Sequence, residues 1–197
     1  MDTKTTGIST IAGDAEVDHA IATLVLAFGT DPVARWMYGD PHQYLMHIPR
    51  LFRALGTGSF EAGAAQRTKD GLGIALWLPP DVHGDDAMLE AVIAESIAAE
   101  KQVDVGAVFE RTEHYRPTEP HWYLSLIGVE ALHRSKGCGA ALLQNGLLQC
   151  DREHRPAYLW SSNRQNTSLY ERHGFEIVGT IQVGSSPSIF PMLRRAR

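Results

Sequence analysis

Cysteine is nearly missing from this chain of 197 residues, which has two, Cys138 and Cys150. On one helix, twelve positions span about 18 Å, beyond the reach of a disulfide, so reduced thiols are expected. No run approaches the roughly 20 apolar residues of a membrane span. The N-terminal Met1-Asp2-Thr3-Lys4-Thr5-Thr6-Gly7 has no apolar signal core, and a cytoplasmic location is expected. No basic run interleaved with aromatics appears, which argues against a nucleic-acid partner. Repeats and low-complexity tracts are absent as well. His114 and His121 are spaced unlike any common helical metal site and no cysteine joins them, so no metal is expected.

What is present points to one folded unit. A hydrophobic content of 44% over 197 residues supports one substantial core, and a single domain over 1–197 is expected. The net charge of −5 is unevenly divided: residues 1–120 carry −9 and residues 121–197 carry +4. A positive C-terminal part suits a polyanionic ligand, and an acidic N-terminal part suits a cationic amine. Ordinary solvated faces are the alternative reading of both.

Hydrophobic spacing predicts a helix from Asp14 to Phe28 and a second from His42 to Leu55. Two strands, Ser59 to Arg67 and Gly71 to Leu78, are expected around Thr68-Lys69-Asp70-Gly71, where Asp-Gly is a hairpin signal. Asp85 to Phe109 is helical at first and is expected to loosen near Val103-Asp104-Val105-Gly106. Tyr115 to Pro120 is a linker. The loop around Asp31 to Pro41, with Trp36, Met37 and Tyr38, and the segment Asp81 to Arg116 would set acceptor choice; as core, the same aromatics would do no such thing.

The most informative stretch is Arg134-Ser135-Lys136-Gly137-Cys138-Gly139-Ala140. It lies between the strand-like Trp122 to Val129 and a helical segment in which Leu143, Leu147 and Cys150 share a face. The order is strand, glycine turn, helix. Glycines at 137 and 139 let several N–H groups converge where a helix begins, a geometry suited to a pyrophosphate. Neither well-known phosphate loop fits. A Walker loop needs Lys-Ser/Thr after the glycines, whereas Lys136 precedes them, and a dinucleotide fingerprint needs a small residue where Leu142 stands.

About thirty residues later, Ala157-Tyr158-Leu159-Trp160 reads as a buried strand. Asn163-Arg164-Gln165-Asn166-Thr167-Ser168-Leu169-Tyr170-Glu171-Arg172-His173-Gly174-Phe175 follows it. Asn163 or Asn166 can cap a short helix, and Gly174 sits where a left-handed residue is wanted. Phe175 to Gly179 is a further strand. Together, Arg-x-x-Gly-x-Gly at 134–139 and Asn-x6-Tyr-x3-Gly-Phe at 163–175 resemble the two signatures of the GNAT superfamily of N-acyltransferases. The likeness covers about the last eighty residues well and reaches Ala27 to Trp36 weakly. Arg116-Pro117-x-Glu119-Pro120-x-Trp122-Tyr123-Leu124 is similar to the puromycin N-acetyltransferase group.

The resemblance implies an α/β fold, a mixed and mostly antiparallel central sheet flanked by helices. It implies acetyl-CoA as donor, held by the half from 121 to 197, and a small-molecule amine as acceptor, held by the half from 1 to 120. Ile127 and Val129 would offer backbone to the pantetheine arm and the carbonyl oxygen. Arg134, Ser135, Lys136, Gly137, Cys138, Gly139 and Ala140 would cradle the pyrophosphate, with Asn163 and Asn166 on the arm. Tyr170 would protonate the leaving thiol; the plainer reading leaves it packed under its helix. Glu113, His114, His121 and Glu130 are candidate bases, and each is equally a surface residue. Cys138 is a small filler rather than a nucleophile. A monomer or homodimer is expected. A regulatory acetyl-CoA sensor and a peptide N-acetyltransferase are the competing readings.

Overall fold

The apolar run Gly73–Leu78 is buried at every position, the mark of a central strand with both faces covered. In the computed structural model, which describes residues 7–197, it is the third strand of seven. The N-terminal segment read as lacking a signal core lies, apart from Gly7, outside the described residues. In chain order the elements are β1 (Ile8–Thr10), α1 (Asp14–Ala27), α2 (Pro32–Met37), α3 (Pro41–Glu61), β2 (Ala65–Thr68), β3 (Gly73–Leu78), α4 (Asp86–Ser96) and α5 (Ala99–Glu113). Then come β4 (Trp122–Val129), α6 (Cys138–Arg152), β5 (Ala157–Ser161), α7 (Thr167–Glu171), β6 (Glu176–Ile177) and β7 (Phe190–Arg194). Single 3₁₀ turns, Ala131–His133 and Arg164–Asn166, precede α6 and α7.

One sheet runs β1-β2-β3-β4-β5-β7-β6. Every pairing is antiparallel except β4 with β5, so the sheet is mixed and mostly antiparallel, as expected. Alternation along β3 sends Ile74 and Leu76 into one core with α1, α3 and Leu126. Ala75 and Trp77 enter the other, against Leu142, Leu143, Leu147 and Cys150 of α6. The helical face predicted for α6 is therefore the buried one. Both cysteines are free and buried, and burial pushes the Cys150 thiol up to about 12.

Three predicted boundaries move. Ser59 to Glu61 belongs to α3 rather than to a strand, because α3 continues through Gly56 and Gly58. A Cβ at Gly56 would come within 2.6 Å of Leu76 Cδ1, and one at Gly58 within 2.1 Å of the His83 carbonyl oxygen. Those glycines serve close packing and do not break the helix. Residues 103–106 are helical, and the break falls earlier, where Ile97 is extended (φ −98°, ψ 133°). The presumed loop from Asp31 to Pro41 contains α2, whose start is set by Asp31 and Pro32.

Asp40 plays the same part for α3: its Oδ1 accepts from the N–H groups of His42 and Gln43 (2.9 and 3.0 Å), with Pro41 at the first helical position. Asp40→Ala is expected to cost about 1 kcal/mol, a fall in Tm of about 2–4 °C by calorimetry, without loss of fold.

Candidate active site

The sheet opens between β4 and β5. These strands pair only at Trp122 with Ala157 and Tyr123 with Tyr158. Immediately beyond, the β3–β4 register shifts: Leu76 faces Leu126 and Trp77 faces Leu124, leaving Ser125 as an extra residue. A bulge bends its strand, and here it coincides with the point where β4 parts from β5. The Glu130 N–H bonds the Leu72 carbonyl (2.9 Å) on the β3 side. Alternation then turns the N–H and C=O of Ile127 and Val129 the other way, toward the gap. The gap is a cleft of about 620 Å³.

The predicted turn forms one end of this cleft. Ser135 has a φ of +61°, and Gly137 is left-handed at φ +87° immediately before α6. The first bond of α6 runs from the Ala141 N–H to the Gly137 carbonyl (2.9 Å). Among the described residues the N–H groups of Ser135 through Ala140 find no acceptor in the protein. A series of free donors at the positive end of a fifteen-residue helix is an anion cradle.

Ten of the twelve residues assigned to the site from sequence line the cleft: Ile127, Val129, Arg134, Ser135, Gly137, Gly139, Ala140, Asn163, Asn166 and Tyr170. Lys136 and Cys138 do not. Lys136 is exposed outside the wall, and the Cys138 side chain turns into the core, 8% exposed. Arg134 braces the turn: its Nη2 donates to the Ala27 carbonyl (2.5 Å) and its Nε to that of Val129 (3.3 Å). Asn163 caps the 3₁₀ turn, its Oδ1 accepting from the Gln165 N–H (2.9 Å). Asn166 makes no capping bond, contrary to the expectation that it caps α7, because it already has helical dihedrals.

Tyr170 is packed beneath its helix and also lines the cleft. Its ring packs edge-on to Phe175 at 6.2 Å within the α6 core. Its hydroxyl has no partner among the described residues and is not sealed off, the residue being part of the cleft wall. Burial, and secondarily the negative charge of Asp31, hold the phenol above its ordinary value, so it stays protonated at neutral pH.

The proposed bases do not reach the cleft. None of Glu113, His114, His121 and Glu130 lines it. At about 3.3 Å per residue, His121 lies roughly 20 Å along the strand from Ile127. Glu113 pairs instead with Arg116 (3.0 Å), and His121 Nδ1 lies 2.9 Å from the Glu119 carbonyl. The cleft wall also holds Phe28, Asp31, Trp160 and Ser162; of these, the sequence pointed to Asp31 alone, as the start of the loop expected to set acceptor choice. Asp-Pro at 31–32 was a legible cap signal, but nothing local links Asp31 to Ser162, 131 positions away, which donates to its carboxylate. Among the described residues there is no cluster of three or more potential metal ligands, and no helix is long and apolar enough to cross a membrane.

This arrangement has known counterparts. Residues 90–177 match the family described as acetyltransferase (GNAT) domain. An uncharacterized N-acetyltransferase of Schizosaccharomyces pombe is 27% identical over 176 residues, covering 79% of this chain and 69% of that protein. In fold, the chain is similar to a Corynebacterium glutamicum protein described as histone acetyltransferase HPA2 and related acetyltransferase (TM-score 0.70, 23% identity, 96% of each chain). It is also similar to arylalkylamine N-acetyltransferase 2 of Aedes aegypti (TM-score 0.62, 13% identity, 97% and 99% of the two chains). A splayed β4–β5 cleft, a glycine turn at its end and these matches, with the domain match spanning residues 90–177, mark the chain as an acyltransferase similar to the GNAT N-acetyltransferases.

Proposed function

We propose that the protein transfers an acetyl group from acetyl-CoA to the primary amine of a small molecule by direct attack. The observation that carries this reading is the cleft itself, with free N–H groups at one end and an unpaired tyrosine hydroxyl in its wall. The residues present fit the donor. The unpaired N–H groups from Ser135 to Ala140 suit a pyrophosphate, and the β4 edge at Ile127 and the Val129 N–H, with no strand beside it, suits the amides of a pantetheine arm, laid down as an added strand.

Bound there, acetyl-CoA supplies an activated acetyl thioester. The Ile127 or Val129 N–H would hold the carbonyl oxygen as negative charge gathers on it. Tyr170 would give its proton to the departing sulfur. The dry wall that keeps the phenol protonated also makes a departing thiolate more basic, which favours that transfer. Cys138, turned into the core, takes no part, and no acyl-enzyme is expected.

The test is thiol release from acetyl-CoA across a panel of amines and peptides. Turnover of small amines is the expected result. Turnover of peptides alone would replace this reading with protein acetylation, and tight acetyl-CoA binding without turnover would replace it with a sensor.

A further inference from the structure

The two ends of β4 point their backbone in opposite directions. The Trp122 N–H bonds the Pro156 carbonyl on the β5 side (3.0 Å), and the Glu130 N–H bonds the Leu72 carbonyl on the β3 side (2.9 Å). Trp122 and Glu130 are an even number of positions apart, so on a regular strand both would point the same way. The side chains reverse as well. Leu124 lies in the α6 core and Leu126 in the α1–α3 core, although residues two apart share a face of a regular strand. Both reversals place one extra residue at Ser125, where the pairing moves from Trp77 with Leu124 to Leu76 with Leu126. Without it, the N–H groups of Leu126 and Gly128 would face the gap, and those of Ile127 and Val129 would be turned to β3.

Ser125 is tied down. Its hydroxyl donates to the Leu55 carbonyl of α3 (3.1 Å). That turn of α3 is itself held from several sides. The Ala54 carbonyl accepts the Asp85 N–H at the start of α4 (2.8 Å), Leu76 packs into the space left by Gly56, and the His83 backbone into that left by Gly58. The bond is therefore made to a fixed point in the neighbouring layer. An extra strand residue has no ladder partner of its own, and a side-chain bond to another element adds the restraint that the ladder does not supply.

We propose that Ser125 is a positioning residue for acyl transfer: its hydroxyl pins the extra residue of β4 to α3 and so aims the Ile127 and Val129 N–H groups into the gap. It acts through the β4 backbone, its one proton being already bonded to Leu55. A hydrogen-bond donor for a developing oxyanion works only where that oxygen will be, and a displacement of about 1 Å can cost about 10²-fold in rate. This role rests on the acetyl-transfer reading, but the aim of the N–H groups is measurable without turnover.

Ser125→Val removes the hydroxyl and Ser125→Thr keeps it, with the same bulk in each. The probe is acetyl-CoA isotope-labelled at the thioester carbonyl, bound to the full chain, since a hydrogen bond to the carbonyl oxygen moves its infrared stretch to lower wavenumber. Wild type and Ser125→Thr are expected to show that shift in full, and Ser125→Val to lose most of it. With the best amine of the thiol-release panel, Ser125→Val is expected to lower kcat about tenfold, with KM for acetyl-CoA within about twofold and Ser125→Thr near wild type. Ser125→Ala adds no bulk and is expected to follow Ser125→Val, which covers a valine that disturbs folding. A lower Tm with the kcat and carbonyl band of wild type in both hydroxyl-free variants would make Ser125 purely structural and overturn the proposal. Ser125→Thr behaving as Ser125→Val would overturn it too. A wild-type band that does not move on binding would instead remove Ile127 and Val129 as holders of the carbonyl, and with them the reading on which the role rests.

Discussion

Tyr170→Phe is expected to lower kcat by about tenfold or more while acetyl-CoA binding stays nearly unchanged. The substitution removes one oxygen and little else. The ring keeps its contact with Phe175 and its place in the α6 core. The lost hydroxyl made no hydrogen bond among the described residues, so no protein donor or acceptor is orphaned and stability should move by less than about 0.5 kcal/mol. What disappears is a protonated phenol facing the cleft, kept protonated by burial and by the charge of Asp31. Positioned proton donors contribute about 10²–10⁴ to rate, and water entering the cleft would recover part of that. Steady-state kinetics with a calorimetric check of acetyl-CoA affinity separates the two quantities. An unchanged kcat would take Tyr170 out of the mechanism.

Gly146→Val is expected to have the largest effect on stability. Gly146 lies in α6 directly over Trp77, and a Cβ there would be 2.2 Å from the indole Nε1. Trp77 is fully buried in the middle of the sheet and has no room to withdraw. Helix propensity points the opposite way, since glycine costs a helix interior about 1 kcal/mol relative to alanine. Overpacking costs about 1–3 kcal/mol and sometimes more, and with three added carbons the steric cost prevails. A loss of about 3 kcal/mol, or about 6–12 °C in Tm, is expected in thermal unfolding. Even Gly146→Ala should destabilise, despite alanine being the better helix former. A variant as stable as wild type would mean that α6 does not sit on Trp77 as described.

Sequence reasoning placed the parts of the candidate site whose geometry is local. The glycine turn, the α6 face and the Tyr170 helix each lie within about fifteen consecutive residues, and dihedral preference and hydrophobic spacing act at that range. Gly174 is left-handed as its position suggested, at φ +89°. The reading failed where packing between distant segments decides. The helix expected to end at Leu55 runs on through Gly56 and Gly58, which serve the approach of Leu76 and His83. The Ser125 bulge, which coincides with the opening of the cleft, is a matter of register between two strands and has no one-dimensional signature. The bases were sought near β4 in sequence, while polar groups that share the cleft with Tyr170 come from the start of α2 and the end of β5. Asp31 and Ser162 meet only in the folded chain.

The central claim is that the β4–β5 gap is the donor site, and a crystal structure with bound acetyl-CoA tests it most directly. The expected complex has the pyrophosphate on the N–H groups between Ser135 and Ala140, the pantetheine arm along Ile127 and Val129, and the sulfur within hydrogen-bonding reach of the Tyr170 hydroxyl. A donor bound elsewhere, or bound in the gap with its sulfur turned away from Tyr170, would contradict the account.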